Sequence, residues 1–433
     1  MSETTIFRGP LMRFAGDPFE IGAEAALIYD EDSALAVENG LIAAVGPAET
    51  IIAAYPGAGV SSAGGLIAPG FVDCHMHYPQ TAVIASYGTQ LLDWLNTYTF
   101  PEEARFGDPD YAAKAARIYF DQQLMNGTTT ACSFCTIHPA SVDAYFAEAA
   151  RRGVRALGGK VMMDRNAPEN LRDTPQSGYD DSKALAEKWH GKGRAQYAVT
   201  PRFAPTSSPE QLEAAGTLWA EFPDCVMQTH LSENHAEIAW VGELFPDCPD
   251  YLGVYEKFGL LGRGALFGHG IHLTQREIDR LAETGAGIAH CPTSNQFLGS
   301  GECDVAGLRA RNVPLGLATD VGGGTSFSMF RTMKAAYEVA QRRGVSLSPV
   351  HLWWLATEGA AKALGIGGKV GNLAPGLEAD AVVLNLRSTP LITHRMERAR
   401  SISEVLFAQI VLADDRAVMQ TICGGKTVYC REA

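Results

Sequence analysis

No stretch of this 433-residue chain approaches the ~18 consecutive apolar residues of a membrane-spanning helix. The opening MSETTIFRGPLMRF also lacks the apolar core of a secretory signal, so a cytoplasmic protein with no membrane contact is expected. Basic clusters are missing too: 35 Lys+Arg stand against 49 Asp+Glu, a formal charge of −14 with histidine neutral. Without a basic stripe, that balance argues against nucleic acid as a partner. Nine cysteines, an odd number thinly spread, make no disulfide framework and read as reduced, mostly buried thiols. Low-complexity segments and long linkers are absent, and 46% hydrophobic against 19% charged residues is the composition of a globular protein with a large core.

What the chain does have is alternation. From Leu66 onward, short apolar runs ending in a polar or turn residue alternate with segments whose apolar positions recur at helical spacing. Eight such runs occur: LIAPGFVD, TTTACSF, VRALGGKV, AQYAVTP, CVMQTH, GALFGH, GAGIAHCP and VPLGLATD. The segments between them carry helix punctuation. DYAAKAARIYFDQQLMNG stops at Gly127, PEQLEAAGTLWAEF opens on Pro209, and Thr274 precedes Glu277 at capping-box spacing. This eightfold alternation predicts an α/β fold, a (β/α)8 barrel over residues 66–368. Flanking it, AALIYD, ALAVEN and LIAAVG at one end and DAVVLNL and QTICGGKTVYC at the other read as strands with tight turns. Residues 1–65 and 369–433 are therefore expected to build one small β-sandwich from both chain ends.

Barrel enzymes carry their chemistry at the C-terminal strand ends, where the loops converge on one mouth. Strand one ends in Asp73-Cys74-His75-Met76-His77, and residues i and i+2 of extended backbone project to one face, so His75 and His77 can address a single metal. Strand five ends at His230, strand six at His269 and strand eight at Asp320. A lone histidine in such a place is more often structural than functional. Five metal-type groups at four strand ends reverse that preference and predict a metal site. His290, ending strand seven, has equal claims to shaping the pocket and to plain packing.

Other motifs fare less well. Cys132-Ser-Phe-Cys135 with His235-Ala-Glu237 suggests a zinc deaminase of the cytidine type, but in that signature the His-x-Glu comes before the cysteine pair. Here the order is reversed and Cys132 lies inside an apolar run, so both motifs read as structural. Gly322-Gly323-Gly324 lacks the spacing and the lysine of a phosphate loop and reads as room for close approach of backbone to a ligand. His138, His190, His351 and His394 fall in or beside helices as surface or packing residues.

Pro69-Gly70-Phe71-Val72-Asp73 leading into His75-x-His77, then His230-x-x-Glu233, His269 and Asp320, resemble the amidohydrolase superfamily. The resemblance covers nearly the whole chain, including the C-terminal LAPGLEADAVVL. Within the superfamily, His77-Tyr78-Pro79-Gln80, Leu91-Leu92-Asp93-Trp94-Leu95 through Thr99-Phe100-Pro101, and Thr200-Pro201-Arg202-Phe203 are similar to the guanine deaminases. A homodimer is implied by the same resemblance.

The residue chemistry agrees with it. Imidazole nitrogen and carboxylate oxygen suit Zn²⁺, so His75, His77, His230 and Asp320 are expected to ligate one zinc, iron being the other ion such ligands accept. His269 is expected either to lie just behind the ligands or to be a weak ligand itself, orienting the attacking water and stabilising charge at the attacked carbon. Asp320 is expected to take the water's proton and Glu233 to protonate a purine ring nitrogen, so that C2 of guanine loses ammonia and xanthine forms. Arg202 would donate to O6, Gln80 meet N3 or N9, and Phe203 offer a ring face or wall. Adenine would set an amine against Arg202 and leave it unpaired, which favours guanine. A two-metal amide hydrolase would need a bridging lysine, for which only Lys160 on strand three is available. A deaminase of an oxidised purine, pterin or aminotriazine is the nearest alternative. A non-catalytic scaffold has no use for so complete a ligand set. The connection from Met162 to Lys183 exceeds the usual ~2–6 residues and is expected to be able to cover the pocket.

Overall fold

The structure, a computed structural model, describes residues 4–87 and 91–432. Eight strands in chain order form its central sheet: β1 Phe71–His77, β2 Thr128–Phe134, β3 Arg155–Gly159, β4 Ala195–Pro201, β5 Val226–Leu231, β6 Ala265–His269, β7 Gly287–His290 and β8 Leu315–Leu317. Neighbours pair in parallel from β1 through β8. A helix follows every strand, among them Pro109–Met125, Pro139–Arg152, Pro175–Trp189 and Pro209–Glu221. Each of these four opens on a proline, whose missing N–H costs nothing in a first turn. Thr274 and Glu277 close the expected capping box on Gln275–Thr284. With helices outside and packed residues inside, β2 and β3 are buried along their full length, as parallel strands require.

The barrel closes just past the end of β8. There the Asp320 N–H donates to the His75 carbonyl (2.9 Å) and the His77 N–H donates to the Val321 carbonyl (2.8 Å). A (β/α)8 barrel thus stands beside a second sheet, and strands from both chain ends share that sheet. Its order runs Lys426–Cys430, Val418–Cys423, Ala381–Leu384, Leu66–Pro69, Thr5–Phe14, Leu27–Glu38, Leu41–Pro47, with Gly59–Ser62 pairing the outer part of Thr5–Phe14. Leu11, Leu35, Ile67, Val383 and Ile422 pack on one side of it, and Ile6, Ala34, Ala36 and Ile51 on the other. Arg155 and Arg194 on the barrel side fasten this unit through Glu378, and Arg194 also reaches Asp380 (2.6 Å).

Two sequence readings are refined. The run LIAPGFVD divides at Gly70: Leu66–Pro69 pairs antiparallel with Ala381–Leu384 in the outer sheet, while β1 begins at Phe71. A Cβ on Gly70 would lie 2.3 Å from Thr129 Oγ1, so the chain changes sheets where only glycine fits. Within the connection 162–183, a helix already starts at Pro175, capped by Thr174. The remainder is pinned, because the buried Lys160 ammonium donates to Asp173 (2.5 Å) and Leu171 packs with Trp94, Leu95 and Phe100. Among the described residues, no helix is long and apolar enough to cross a membrane.

Strand spacing gives a test of this packing. A Cβ at Gly159 would sit 1.8 Å from the Ala198 carbonyl oxygen, so Gly159→Ala must push β3 from β4 and is expected to cost about 1–3 kcal/mol or more. Gly57→Ala, where nothing lies within 4 Å, is expected to stay within ~0.5 kcal/mol. Thermal unfolding of both variants checks the difference.

Candidate active site

The C-terminal mouth of the barrel gathers the five groups singled out at the strand ends. His75 and His77 of β1 hold their Nε2 atoms 3.3 Å apart. His230 Nε2 is 3.3 Å from His77 Nε2, and Asp320 Oδ1 is 3.3 Å from both His75 Nε2 and His77 Nε2. Donors around an ion at ~2.0–2.1 Å stand about 3.3–3.4 Å apart, so these four separations suit a zinc-sized cation. His75, His77 and His230 form one candidate metal group, and Asp320 shares a second with His75, His269 and Cys291. Burial brings the His77 pKa down to about 4. Burial, together with the charges of His75 and His77, holds His230 well below the ordinary imidazole value. For Asp320, burial opposes the charge, but the His75 and His77 contacts outweigh it and keep the carboxylate ionised well below its usual range. Imidazole nitrogens converging at 3.3 Å on a buried carboxylate crowd their lone pairs together. A cation at their centre removes the conflict, so the donor set fits a divalent metal.

Surrounding bonds aim these groups. The Arg202 carbonyl accepts from His230 Nδ1 (2.7 Å), which leaves the Nε2 lone pair facing inward. Asn295 Oδ1 accepts from His269 Nδ1 (2.8 Å) and turns His269 Nε2 toward Glu233 Oε2 (3.4 Å) and Asp320 Oδ2 (3.9 Å). Asp73, fully buried, accepts from the Thr319 N–H (3.0 Å), the Thr319 hydroxyl (2.5 Å) and the His75 N–H (3.3 Å). Three non-glycine residues at these strand ends adopt left-handed backbone: Ser232 (φ 49°), His269 (φ 73°) and Asp320 (φ 51°). Strain of that kind persists only where the surroundings enforce it.

Glu233 faces the same space. Burial, then the charge of Asp320, raises its pKa to about 8, against a hydrogen bond donated by Ser300 Oγ (2.9 Å). The group is a carboxylic acid at neutral pH, 3.4 Å from His269 Nε2. Its turn is fixed by Glu237, which accepts from the N–H groups of Glu233 (3.0 Å) and Asn234 (3.1 Å). His235-Ala-Glu237 is thus a helix-capping arrangement, not a metal motif.

On the other side of a pocket with about 440 Å³ of atom-free space stand Gln80, Arg202 and Phe203, with Trp94, Leu95 and Leu298 as apolar walls. Sequence reasoning missed Glu103, Asn295 and Ser300. Glu103 follows the Phe100-Pro101 stretch closely enough to be noticed, but nothing local marks it as facing Arg202. Asn295 and Ser300 serve residues on other loops and carry no local signal.

The remaining candidates fall outside this centre. His290 is buried beneath it without lining the pocket, and burial, then His269, pushes its pKa to about 3. Cys132 lies inside β2 with Sγ 3.1 Å from Gln228 Oε1, and among the described residues neither it nor Cys135 joins a candidate metal group. Cys291 lies near the donors, but burial holds its thiol well above the usual range, which makes it a poor ligand. Gly323 lines the pocket, while what Gly322 and Gly324 admit is protein: Gln80 and the Thr319 carbonyl. His138 is half-buried, His190 Nδ1 accepts from the Tyr197 N–H, His351 packs edge-on to Phe19 at 4.5 Å, and His394 is exposed.

Strand-end imidazoles and carboxylates at the mouth of a parallel barrel define an enzyme of the metal-site barrel class. The Amidohydrolase family profile matches residues 66–428, and the chain belongs to that family. Residues 34–58 also match an imidazolonepropionase-like composite domain of bacteria. Guanine deaminase of Escherichia coli K12 is 49% identical over 368 residues, 85% of this chain and 84% of that protein. The solved structure of E. coli guanine deaminase superposes with a TM-score of 0.97 at 45% identity, covering 99% of this chain and 100% of the other. Guanine deaminase from C. acetobutylicum, solved with guanine in its active site, gives a TM-score of 0.89 at 31% identity over 99% of this chain and 100% of the other.

Chelator-stripped protein titrated with zinc is expected to take up one tightly held ion per chain, and His77→Ala to lose that uptake while keeping its fold. Calorimetry with circular dichroism checks both outcomes.

Proposed function

We propose that this chain is a zinc-dependent guanine deaminase, converting guanine and water to xanthine and ammonia. The carrying observation is one pocket lined by His77, His230 and Asp320, with a protonated Glu233 on one side and Gln80, Arg202 and Phe203 on the other. Relatives named guanine deaminase support the reading.

In this proposal His75, His77, His230 and Asp320 hold the zinc, which when bound would acidify water at the centre toward a pKa of about 7. Asp320 Oδ2, turned away from the oxygen shared by His75 and His77, accepts the proton of the attacking water. His269, aimed by Asn295, stabilises the charge that develops there. Glu233 gives its proton to a ring nitrogen of guanine, so electron density leaving the C2=N bond is neutralised as water adds at C2. The resulting carbon carries both a hydroxyl and the amine. Asp320 passes the proton it took from water to the amine, the C–N bond breaks and ammonia departs, and the hydroxyl proton returns to Glu233 as the C2 carbonyl forms. Two carboxyl groups in one site held in opposite protonation states suit this division into base and acid. Arg202 donates to O6 and Gln80 reads N3 or N9, while Phe203 walls the ring. A donor at O6 disfavours adenine, whose amine would face it.

The cytoplasm and a homodimer complete the proposal. Nine unpaired cysteines support a reducing compartment, and sedimentation velocity reads the oligomer.

Ammonia release from guanine by the zinc-loaded protein tests the reading, and its absence contradicts it. Glu233→Gln is expected to retain zinc and lose about 10²–10⁴ in kcat; a near-normal rate would exclude Glu233 as the acid. Faster turnover of a pterin or an aminotriazine than of guanine would favour the alternative substrates.

A further inference from the structure

Two polar walls of the pocket share one partner that the proposed reaction does not use. Glu103 is 1% exposed, and both of its carboxylate oxygens are committed. Oε1 accepts from Gln80 Nε2 at 2.9 Å, and Oε2 accepts from Arg202 Nη1 at 2.5 Å. The Phe100 ring lies under the same guanidinium, its centroid 5.3 Å from Arg202 Cζ. Glu103 and Phe100 both come from the short helical turn Phe100–Glu103, so one segment holds Arg202 from two directions.

We propose that Glu103 sets the substrate specificity of this pocket, as a positioning residue acting through Gln80 and Arg202 without touching the reacting atoms. The inference rests on the guanine reading given above. An ionised carboxylate is acceptor-only, so it can face only the nitrogen end of a glutamine amide. Glu103 therefore fixes which end of Gln80 is which: Nε2 is tied to the carboxylate, and Oε1 points away from it toward Gly322. The absence of a side chain at Gly322 makes room there, since a Cβ would lie 2.7 Å from Gln80 Oε1. Arg202, held by one arm and backed by an aromatic face, keeps the direction of its remaining N–H groups. A site so fixed favours a ligand that presents a carbonyl to Arg202. A purine with an amine in place of that carbonyl sets donor against donor, and Arg202 cannot turn away while Glu103 holds it.

Buried ion pairs also have a purely structural reading, in which losing one partner destabilises the fold. The two accounts separate in kinetics. Glu103→Gln keeps the shape but leaves one accepting oxygen for two donors. When that oxygen serves Arg202, the new amide nitrogen faces Gln80, whose amide must turn over. Guanine and 2,6-diaminopurine, which carries an amine at C6, are compared as kcat/KM, or as Ki where turnover is too slow to read. In Glu103→Gln, KM for guanine is expected to rise roughly tenfold or more, with kcat within about threefold and zinc content unchanged. The preference for guanine over 2,6-diaminopurine is expected to shrink by roughly tenfold or more. A guanine KM within about twofold of the unaltered chain, or equal losses on both purines with the preference intact, overturns the proposal. Should Glu103→Gln fail to fold, Glu103→Asp carries the test, because it keeps the charge but is too short to span both partners. A reduced preference then supports the proposal and an unchanged one overturns it. Absence of ammonia release from guanine by the unaltered chain overturns the functional reading instead; an unmoved preference beside normal turnover overturns only the role of Glu103.

Discussion

Closure of the barrel at one seam is the constraint on which the site depends. β8 is short, and it is the segment after it that meets β1, through the Asp320 and His77 backbone bonds. Asp73 locks this seam from inside by accepting both the N–H and the hydroxyl of Thr319, the residue before Asp320. One buried carboxylate thereby ties the start of the His75-x-His77 pair to the only carboxylate that approaches it within 3.3 Å among the described ion pairs. Burial raises the pKa of Asp73 to about 7 despite these bonds, so the lock is held against a desolvation cost. A fold keeps such a group when geometry matters more than local stability.

Given that seam, electrostatics divides the mouth into two halves. His77, His230 and Asp320 are held in the deprotonated forms that bind a cation, while the neighbouring Glu233 is held protonated. The two carboxyl groups differ because Asp320 touches two imidazoles, whereas Glu233 is buried facing the Asp320 charge. Across the pocket, Glu103 organises Gln80 and Arg202 in the way that Asn295 and Ser300 organise His269 and Glu233. Gln80, Arg202, His269 and Glu233 are thus each held by a buried partner behind them, the arrangement that spares an enzyme from reorganising its dipoles during reaction.

Much of this was legible in the sequence because it obeys local periodicities. The eight apolar runs stand out by length and punctuation, and the i, i+2 spacing of His75 and His77 follows from extended backbone alone. Strand-end position made His230, His269 and Asp320 visible for the same reason. What escaped was whatever hydrogen bonding decides across distance. LIAPGFVD reads as one strand, yet its pairing changes sheets at Gly70, and hydropathy does not report which strand a residue bonds to. The Thr174 cap and Pro175 of the helix inside the 162–183 connection were available as signals, and the length of the connection masked them. Glu103, Asn295 and Ser300 had no local signature, since a buried polar residue on a loop looks like any exposed one until its partner is known.

The proposed chemistry requires a single cation where three segments of the barrel mouth converge. Diffraction data collected at the zinc absorption edge from zinc-supplemented crystals address this directly. One strong anomalous peak enclosed by His75, His77, His230 and Asp320 is the expected result. No peak there at full zinc supply, or a peak on other residues only, would contradict it.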